Sequence, residues 1–371
     1  MKKKKTAYAV IILFFLLIGT AYLVWPLAGR FVDTENHEKR ELAVRPVFQI
    51  STISEYPKQF ESWLNDHLPF RNQLIRLNCA LDYYVFRSST SDRVAVGSSG
   101  WLFYTDFADG NPLANYQGTD LLTEKQLKKI ADNMIATRDN LAKENIEFVI
   151  FIAPNKERIY DEYMPKYYGA PAEEYAVRQI CDYLKEHTDI RIVYPIEEMK
   201  EAEQKLGEQM LLYHKTDTHW NELGAYIGGR ELLAELGIDM PAYDSPEISV
   251  AEIEDTPGDM ADILNLSTLI NPGYTYAPSG YDGHNFVNDM WEFSTEVRYH
   301  AQGADPRTIF VCRDSFGSAL GNLIGSQFDR SVLVHNGSYT NDYVEQEEPD
   351  VFVYECVERY AASGLLEFRY E

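Results

Sequence analysis

The sequence contains few basic residues and few cysteines for a chain of 371 residues. Lys and Arg number 34 against 58 Asp and Glu, which gives a formal net charge of −24 at pH 7. An acidic protein of this kind repels phosphate groups, so a role in binding nucleic acid is excluded. The cysteines form no C-x-x-C pair, which argues against a zinc ribbon or a dithiol redox motif. They are Cys79, Cys181, Cys312 and Cys356.

Charged residues are also absent from one N-terminal run, residues 6–25, which follows four lysines at residues 2–5. This mostly apolar run is close to the roughly 20 residues that a helix needs to cross a bilayer. Because positive flanks stay in the cytoplasm, residues 1–30 are predicted to form a single-pass signal anchor in the cell membrane, with the rest of the chain outside the cytoplasm. The alternative is a cleaved signal peptide, with the small residues Ala28 and Gly29 near the cut.

Residues 31–120 carry a polar linker, two helical patterns and a hairpin pattern. Apolar residues recur at helical spacing over residues 56–86, and Pro69 separates the two runs. Within residues 93–105, two short apolar runs flank Gly-Ser-Ser-Gly, which is typical of a β-hairpin. We expect this whole segment to pack on the core of the domain that follows it.

From residue 121 onwards, helical and strand patterns alternate. Such alternation predicts an α/β domain over residues 121–371, a doubly wound, mostly parallel sheet with helices on both faces. The short apolar runs that predict its strands are residues 147–154, 190–195, 308–315, 331–336 and 350–357.

Residues 240–306 interrupt this alternation and are rich in Pro, Gly, Asn and Asp. A long irregular insertion is usually functional or mobile. Its aromatic residues predict either a surface that stacks on sugar rings or a lid with a small core of its own. They are Tyr243, Tyr274, Tyr276, Tyr281, Phe286, Trp291, Phe293 and Tyr299.

Ser315 lies in "FVCRDSFG", between a predicted strand and a predicted helix. In open α/β sheets, ligands bind beyond the carboxyl ends of the strands. A serine at this position exposes its hydroxyl beside the free N–H groups of a helix start, which suits a nucleophile. The alternative is that Asp314 or Ser315 simply caps the helix.

The stretch "YHKTDTHWNELGAY" supplies the groups that a serine nucleophile needs. Asp217 and His219 are two residues apart, so in an extended loop their side chains lie on the same side. The carboxylate then holds Nδ1–H of the imidazole, and Nε2 is available to take a proton from Ser315. Asn221 or Thr218 explains part of the stretch as a helix cap.

Two other chemistries compete with this interpretation. His214, Asp217 and His219 form H-x-x-D-x-H, and a zinc site completed by His284, His300 or His335 is an alternative. A pair of catalytic carboxylates for glycoside cleavage is a further alternative, although 58 acidic residues give no way to choose the pair. We expect neither a metal nor any other cofactor.

With these residues in view, the sequence resembles the AlgX/AlgJ-type alginate O-acetyltransferase family and its relatives called DHHW proteins, within the SGNH hydrolase superfamily. Thr218 departs from the Asp-His-His-Trp pattern of those relatives, and we expect it to face away from the catalytic groups. The motifs that carry the resemblance are "FESWLNDHLPFRNQLI", "VGSSGWLFY", "APNKERIY", "TDTHWNELGAY", "RDSFG" and "PDVFVYECVERY".

The resemblance implies a membrane-anchored extracytoplasmic O-acetyltransferase that acetylates a cell-surface or secreted polysaccharide. It implies Ser315 as the nucleophile, His219 as the general base and Asp217 as the acid that orients it. A multispanning membrane-bound O-acyltransferase is the partner implied as the acetyl donor. The alternatives are a carbohydrate esterase of the same fold and a non-catalytic glycan-binding subunit of an export complex.

Further contacts to the oxyanion or the substrate are expected near the strand ends. The backbone N–H of Ser315 or of its neighbours is the first choice as an oxyanion donor. The candidate side chains are Asn155, Lys156, Arg313 and Trp220. We also expect Trp220 to pack beneath the imidazole of His219.

Overall fold

The computed structural model describes residues 2–32, 41–282, 286–292 and 295–371. It contains two compact units, Met1–Phe86 and Arg87–Glu371. The boundary between them lies inside the 31–120 segment delimited from the sequence, and the predicted hairpin belongs to the second unit.

The first unit is helical. Its helices are α1 (Lys2–Ala28), α2 (Tyr56–Asp66) and α3 (Arg71–Leu81). Within α1, Tyr8–Ala28 is long and apolar enough to cross a membrane, with a mean hydropathy of 2.4. The two amphipathic helices predicted on either side of Pro69 are therefore present, and α1 matches the predicted apolar helix.

The second unit is built on a seven-stranded sheet with the order β4-β3-β11-β9-β10-β8-β7. The first five of these strands run parallel, as predicted, and β8 and β7 continue the sheet in antiparallel fashion. The pairs β1 with β2 and β5 with β6 form separate two-stranded sheets. The strands are β1 (Val94–Val96), β2 (Leu102–Tyr104), β3 (Glu147–Ala153), β4 (Arg191–Val193), β5 (Ser249–Glu254), β6 (Tyr274–Ser279), β7 (Phe286–Glu292), β8 (Glu296–Ala301), β9 (Asp305–Arg313), β10 (Phe328–His335) and β11 (Val351–Val357).

Both faces of the parallel part of the sheet are buried. Along β3, Val149 and Phe151 point into one hydrophobic cluster, and Phe148 and Ile150 point into the other. Strands covered on both faces are continuous apolar runs, which explains why the sequence revealed them. The covering helices are α4 (Pro112–Gln117), α5 (Glu124–Lys143), α6 (Lys156–Ile159), α7 (Ala176–His187), α8 (Ile196–Leu206), α9 (Glu222–Glu235), α10 (Asp259–Ile263), α11 (Gly321–Gln327), α12 (Asp342–Glu347) and α13 (Glu358–Glu367).

The insertion at residues 240–306 is more regular than predicted. It contains β5, β6, α10, β7 and β8, and two of these strands extend the main sheet. In β8, side chains alternate between buried and half-buried or exposed positions, which is a weaker sequence signal than a continuous apolar run. Tyr276 and Tyr299 are buried in the core, whereas Tyr274 is exposed. His284 and Phe293 lie outside the described residues, and the side chains of Phe286 and Trp291 are not described either.

A buried ion pair joins the chain just beyond β3 to the start of α13. Arg158 donates from Nε to Glu358 Oε1 over 3.0 Å, and both side chains are almost fully buried. The same guanidinium donates to the carbonyl oxygens of Ala172 and Asn115, and Glu358 Oε2 accepts from the backbone N–H of Asn155. The pair therefore links the chain just beyond β3 to the chain just beyond β11 through a buried polar network.

Replacing Arg158 with Met leaves the Glu358 carboxylate buried without its cation. We expect Arg158→Met to lower the free energy of unfolding by about 3–5 kcal/mol. The measurement is the thermal unfolding midpoint of the full chain in detergent. Arg178→Met is the control, because the exposed Arg178 lies 4.0 Å from Asp182 and such pairs contribute only about 0–1 kcal/mol. Equal shifts for both variants would contradict the assignment.

Candidate active site

A cleft of about 730 Å³ opens beyond the carboxyl end of β9. Its walls come from the loop that precedes α9, from the residues around α10 and from the turn that follows β9. The described residues that line it include Ser315, His219 and Asp217, so the tertiary structure brings the predicted trio into one cavity.

Ser315 is exposed at the start of the 3₁₀ turn Phe316–Leu320. Its side chain makes no capping hydrogen bond, and Asp314 performs the capping instead. Asp314 Oδ1 accepts from the N–H of Phe316 over 2.8 Å, and its Oδ2 accepts from the N–H of Val357 over 2.7 Å. The helix-cap alternative therefore applies to Asp314, and the hydroxyl of Ser315 is left for His219.

His219 lies between Ser315 and Asp217. Its Nε2 is 2.8 Å from Ser315 Oγ, and its Nδ1 is 2.6 Å from Asp217 Oδ1. An ionised carboxylate only accepts hydrogen bonds, so Nδ1 carries the proton and Nε2 accepts from the serine hydroxyl. The backbone N–H of His219 also donates to Asp217 Oδ1 over 3.0 Å, which fixes both residues within one turn.

The second oxygen of Asp217 is held by the insertion. Asp217 Oδ2 accepts from the N–H of Asp259 over 2.9 Å at the start of α10. Burial raises the pKa of Asp217, but the hydrogen bond and charge of His219 and the backbone N–H donors outweigh it and hold the pKa below its usual value. Asp217 is therefore an anion over the whole neutral pH range.

Thr218 does not face away from the site, contrary to expectation. It is nearly buried, and its hydroxyl donates to Asp259 Oδ2 over 2.6 Å while its N–H donates to Asp259 Oδ1 over 2.9 Å. Its Oγ1 also lies 3.3 Å from Nδ1 of His219. Thr218 therefore joins the catalytic loop to α10.

The candidate zinc ligands of the H-x-x-D-x-H pattern are engaged in hydrogen bonds. His214 does not join the other two residues of the H-x-x-D-x-H pattern, since its Nδ1 contacts Asp255 Oδ2 at 2.8 Å. Asp217, His219 and Asp259 do have ligand atoms within 4.8 Å of one another. The Asp259 carboxylate already accepts hydrogen bonds from Thr218, and Asp217 and His219 are bonded to each other. The arrangement therefore suits proton transfer.

Of the four candidate contact residues, only Trp220 is among the described residues that line the cleft. Lys156 is buried beneath the loop, where its Nζ donates to the carbonyl oxygens of Asp217 over 2.6 Å and His214 over 3.1 Å. Burial lowers the pKa of Lys156 to about 8. Lys156 therefore supports the loop from below and makes no contact with the cavity.

The other two candidates are also buried. Arg313 donates from Nη1 to the carbonyl oxygen of Asp314 and to Ser318 Oγ, so it braces the turn that carries the serine. Asn155 lies beyond the end of β3 with its side-chain amide enclosed, and its N–H donates to Glu358. Neither is among the described residues that line the cleft.

Phe316 is a site residue that the sequence did not reveal. Its ring packs against the imidazole of His219, with centroids 4.8 Å apart, and Trp220 packs against Phe316 in turn. Trp220 also donates from Nε1 to the carbonyl oxygen of Phe316 over 2.9 Å. Trp220 was expected beneath the imidazole, but Phe316 occupies the contact and Trp220 supports it from behind.

The backbone N–H of Ser315 is available as an oxyanion donor. Within the described part of the chain, no acceptor takes this N–H, whereas the N–H of Phe316 is used by Asp314 and the N–H of Ser318 by the carbonyl oxygen of Ser315. A donor at the nucleophile itself is a common element of oxyanion holes. The site thus brings together groups that can serve as a nucleophile, a base, an orienting carboxylate and an oxyanion donor.

Comparison with known proteins identifies the family of this chain. Residues 94–284, slightly more than half of the chain, match the family model described as the SGNH hydrolase-like domain of the acetyltransferase AlgX. The chain belongs to this AlgX family. Its match includes the loop that carries Asp217 and His219 and ends before Ser315, which lies in the following, unmatched part of the chain.

Curated relatives of this AlgX-family chain include proteins named probable alginate O-acetylase AlgJ. The protein from Pseudomonas syringae pv. tomato is 27% identical over 226 residues, covering 58% of this chain and 52% of the relative. The protein from Pseudomonas fluorescens is 26% identical over 262 residues, covering 69% and 59%. The chain thus spans about half the length of the curated relatives that it matches.

Among solved structures, Bacillus cereus PatB1 superposes with a TM-score of 0.54 at 16% sequence identity. The superposition covers 75% of this chain and 100% of PatB1. At this identity the likeness shows the fold alone, and it agrees with the SGNH hydrolase-like α/β sheet described above.

Gly258 lets α10 approach Asp217 closely. A Cβ at position 258 would lie 2.3 Å from Asp217 Cβ and 2.5 Å from its Oδ2. We therefore expect Gly258→Ala to displace Asp217 and to slow the reaction of Ser315 with an activated acetyl ester about 100-fold. Gly337→Ala is the control, because its nearest contact is His335 Nδ1 at an ordinary 3.4 Å. Unchanged reactivity in Gly258→Ala would refute the role of this contact.

The lowered pKa of Asp217 makes its contribution to stability depend on pH. A carboxyl with a folded-state pKa below its unfolded value of about 3.9 stabilises the fold above that value, and this contribution is lost as pH falls towards the folded-state pKa. The thermal midpoint of Asp217→Asn should therefore lie furthest below that of the unmodified chain at about pH 5 and above, and the gap should narrow at about pH 3. A gap that does not change with pH would contradict the ionised state of Asp217.

Proposed function

We propose that this protein is an extracytoplasmic serine O-acetyltransferase that moves acetyl groups onto hydroxyls of a cell-surface or secreted polysaccharide. The single observation that carries the proposal is the hydrogen-bonded series Ser315, His219 and Asp217 at the exposed end of β9. Membership of the AlgX family supports acetyl as the group transferred, and the AlgJ relatives are named as alginate O-acetylases.

In the first half-reaction, Ser315 Oγ attacks the carbonyl carbon of the acetyl donor while Nε2 of His219 takes the hydroxyl proton. The charge that develops on the carbonyl oxygen is stabilised by the N–H of Ser315. His219 then gives its proton to the departing oxygen of the donor, and an acetyl ester remains on Ser315. Asp217 stabilises the imidazolium that forms between these two proton transfers.

In the second half-reaction, a sugar hydroxyl takes the place of the donor. Nε2 of His219 removes its proton as the oxygen attacks the acetyl carbon, and the proton returns to Ser315 Oγ when the ester bond breaks. Phe316 and Asp217 keep the imidazole at one angle through both steps. No metal or nucleotide takes part in this mechanism.

The proposed location follows from α1. The span Tyr8–Ala28 suits a single-pass anchor, and residues 2–5 are lysines that favour the cytoplasmic side. The catalytic unit then lies outside the cytoplasm, and we propose a multispanning membrane acyltransferase as the partner that supplies acetyl groups there.

A carbohydrate esterase is the second candidate function. It shares the acyl-serine, but water replaces the sugar hydroxyl, so the two differ only in how well the acceptor site excludes water. The cleft that contains Ser315 is open enough to admit either acceptor. A non-catalytic glycan-binding subunit is the third candidate, and it gives no reason for the hydrogen bonds between Ser315, His219 and Asp217.

The proposal is tested by acetylating the full chain with 4-nitrophenyl acetate in a detergent that carries no sugar. We expect acetyl on the peptide that contains Ser315, and at least a 100-fold lower rate of nitrophenol release in Ser315→Ala. Ser363→Ala is the control, since Ser363 is an exposed serine outside the described lining of the cleft. Equal acetylation of Ser315→Ala would contradict the mechanism.

Transfer is distinguished from hydrolysis by following acetyl from labelled Ser315. Acetyl recovered on an added oligosaccharide supports the transferase. Acetyl released only as free acetate, at a rate that no oligosaccharide changes, supports the esterase.

A further inference from the structure

The cleft that contains Ser315 is strongly acidic. Its described lining includes five carboxylates and neither Lys nor Arg. We infer that the glycan acceptor carries no carboxylates on the sugars that enter this cleft, so that it is a neutral or amino-bearing polymer and not a polyuronate. The inference rests on the proposed acetyl transfer and names its substrate class. The carboxylates are those of Asp217, Glu222, Asp255, Asp259 and Asp262.

Three of these carboxylates lie at the beginnings of helices that face the cavity. Glu222 is in the first turn of α9, and Asp259 and Asp262 are in the first turn of α10. Acidic residues stabilise helix N-termini, which accounts for part of their presence. That role does not neutralise them, and among the described residues none of the three forms an ion pair.

Nearby cations compensate only part of this negative charge. His219 donates Nδ1–H to Asp217 as a neutral imidazole, and His214 contacts Asp255. Burial lowers the pKa of His214, but the hydrogen bond and charge of Asp255 raise it above the usual value. Lys156 lies beneath the loop, where it is 1% exposed and cannot reach a ligand in the cavity.

The opposite wall is neutral and suited to sugar hydroxyls. It comes from the turn after Ser315, from α11 and from β8, through Ser318, Ala319, Asn322 and Tyr299. The hydroxyl of Tyr299 donates to Asn322 Oδ1 over 3.4 Å, so the amide is oriented from behind. Hydroxyls and amides discriminate little between neutral sugars, and these four described lining residues carry no charge of their own.

A polyuronate brings one carboxylate per sugar into this field. Like charges in a cleft lower both the rate of encounter and the occupancy, and walls of low dielectric constant strengthen the effect. A neutral glycan meets no such barrier, and a glycan with free amines is attracted to the cleft. The alginate in the names of the AlgJ relatives is a polyuronate, so we expect a different acceptor for this chain.

The test uses the full chain acetylated on Ser315 by 4-nitrophenyl acetate. It is mixed with pentamers of N-acetylglucosamine, glucosamine or mannuronate at about 0.02 M salt, where charges are weakly screened. We expect acetyl transfer to at least one of the first two pentamers to be about 10-fold or more faster than transfer to the mannuronate pentamer. At about 0.5 M salt the difference should shrink, because screening shortens the range of the repulsion.

Reversing the charge of two exposed carboxylates of the cleft distinguishes the effect of its local field from the effect of the protein's net charge. Glu222 and Asp262 are both exposed, and the double variant Glu222→Lys with Asp262→Lys should raise the ratio of mannuronate transfer to neutral transfer about 10-fold. The control is Glu173→Lys with Glu186→Lys, which changes the net charge equally at exposed positions outside the described lining of the cleft. The control should leave the ratio unchanged.

The possible failures are distinguishable. If Ser315 is never acetylated, the proposed function fails together with its acceptor. If Ser315 is acetylated but passes acetyl to the mannuronate pentamer as fast as to the other two, the proposed function stands and the acceptor class is wrong. Transfer to the mannuronate pentamer alone, or an equal effect of the two double variants, also overturns the acceptor class, whereas release of acetyl only as free acetate overturns the transferase itself.

Discussion

The carboxylate of Asp217 is bound at both oxygens, and the arrangement of the site depends on those bonds. One oxygen takes Nδ1–H and the backbone N–H of His219, and the other takes the N–H of Asp259. The first interaction selects the imidazole tautomer that leaves Nε2 as an acceptor for Ser315. The second joins the loop before α9 to the insertion, so that the angle of the imidazole depends on a segment far away in the chain.

Two buried ionisable side chains support the loop before α9 and the turn that carries Ser315. Lys156 donates to the carbonyl oxygens of the loop, and Glu355 accepts from the N–H of Asp314 next to Ser315 over 3.0 Å. Burial raises the pKa of Glu355 well above its usual value, while it lowers that of Lys156. Such groups cost free energy to bury, and their hydrogen bonds to backbone atoms fix the loop and the turn in one arrangement. Ser315 and His219 are thus held by supports from separate parts of the sheet.

The same elements that organise catalysis also determine the charge of the cavity. The beginnings of α9 and α10 supply N–H groups and acidic side chains to one wall, and the serine turn with α11 supplies a neutral wall. The electrostatics of the cleft therefore arise from how the insertion packs on the sheet. Under the proposed function, we expect a relative with these three residues and a differently charged insertion to accept a different glycan.

The sequence by itself determined the five parallel strands, the hairpin, the helices on either side of Pro69 and the positions of Ser315, Asp217 and His219 as candidates. These features are local: buried parallel strands are continuous apolar runs, a strand-end serine is visible in "CRDSFG", and Asp-x-His is a spacing of two. Only the tertiary structure decided that β7 and β8 extend the sheet, that Phe316 contacts the imidazole, and that Lys156 supports the loop and does not face the cavity. Those contacts join residues that are distant in sequence, or strands whose residues alternate only weakly in polarity. No local sequence pattern therefore predicts them. The acidity of the cleft was decided in the same way, because its carboxylates are scattered from residue 217 to residue 262 and meet only when α10 packs on the loop.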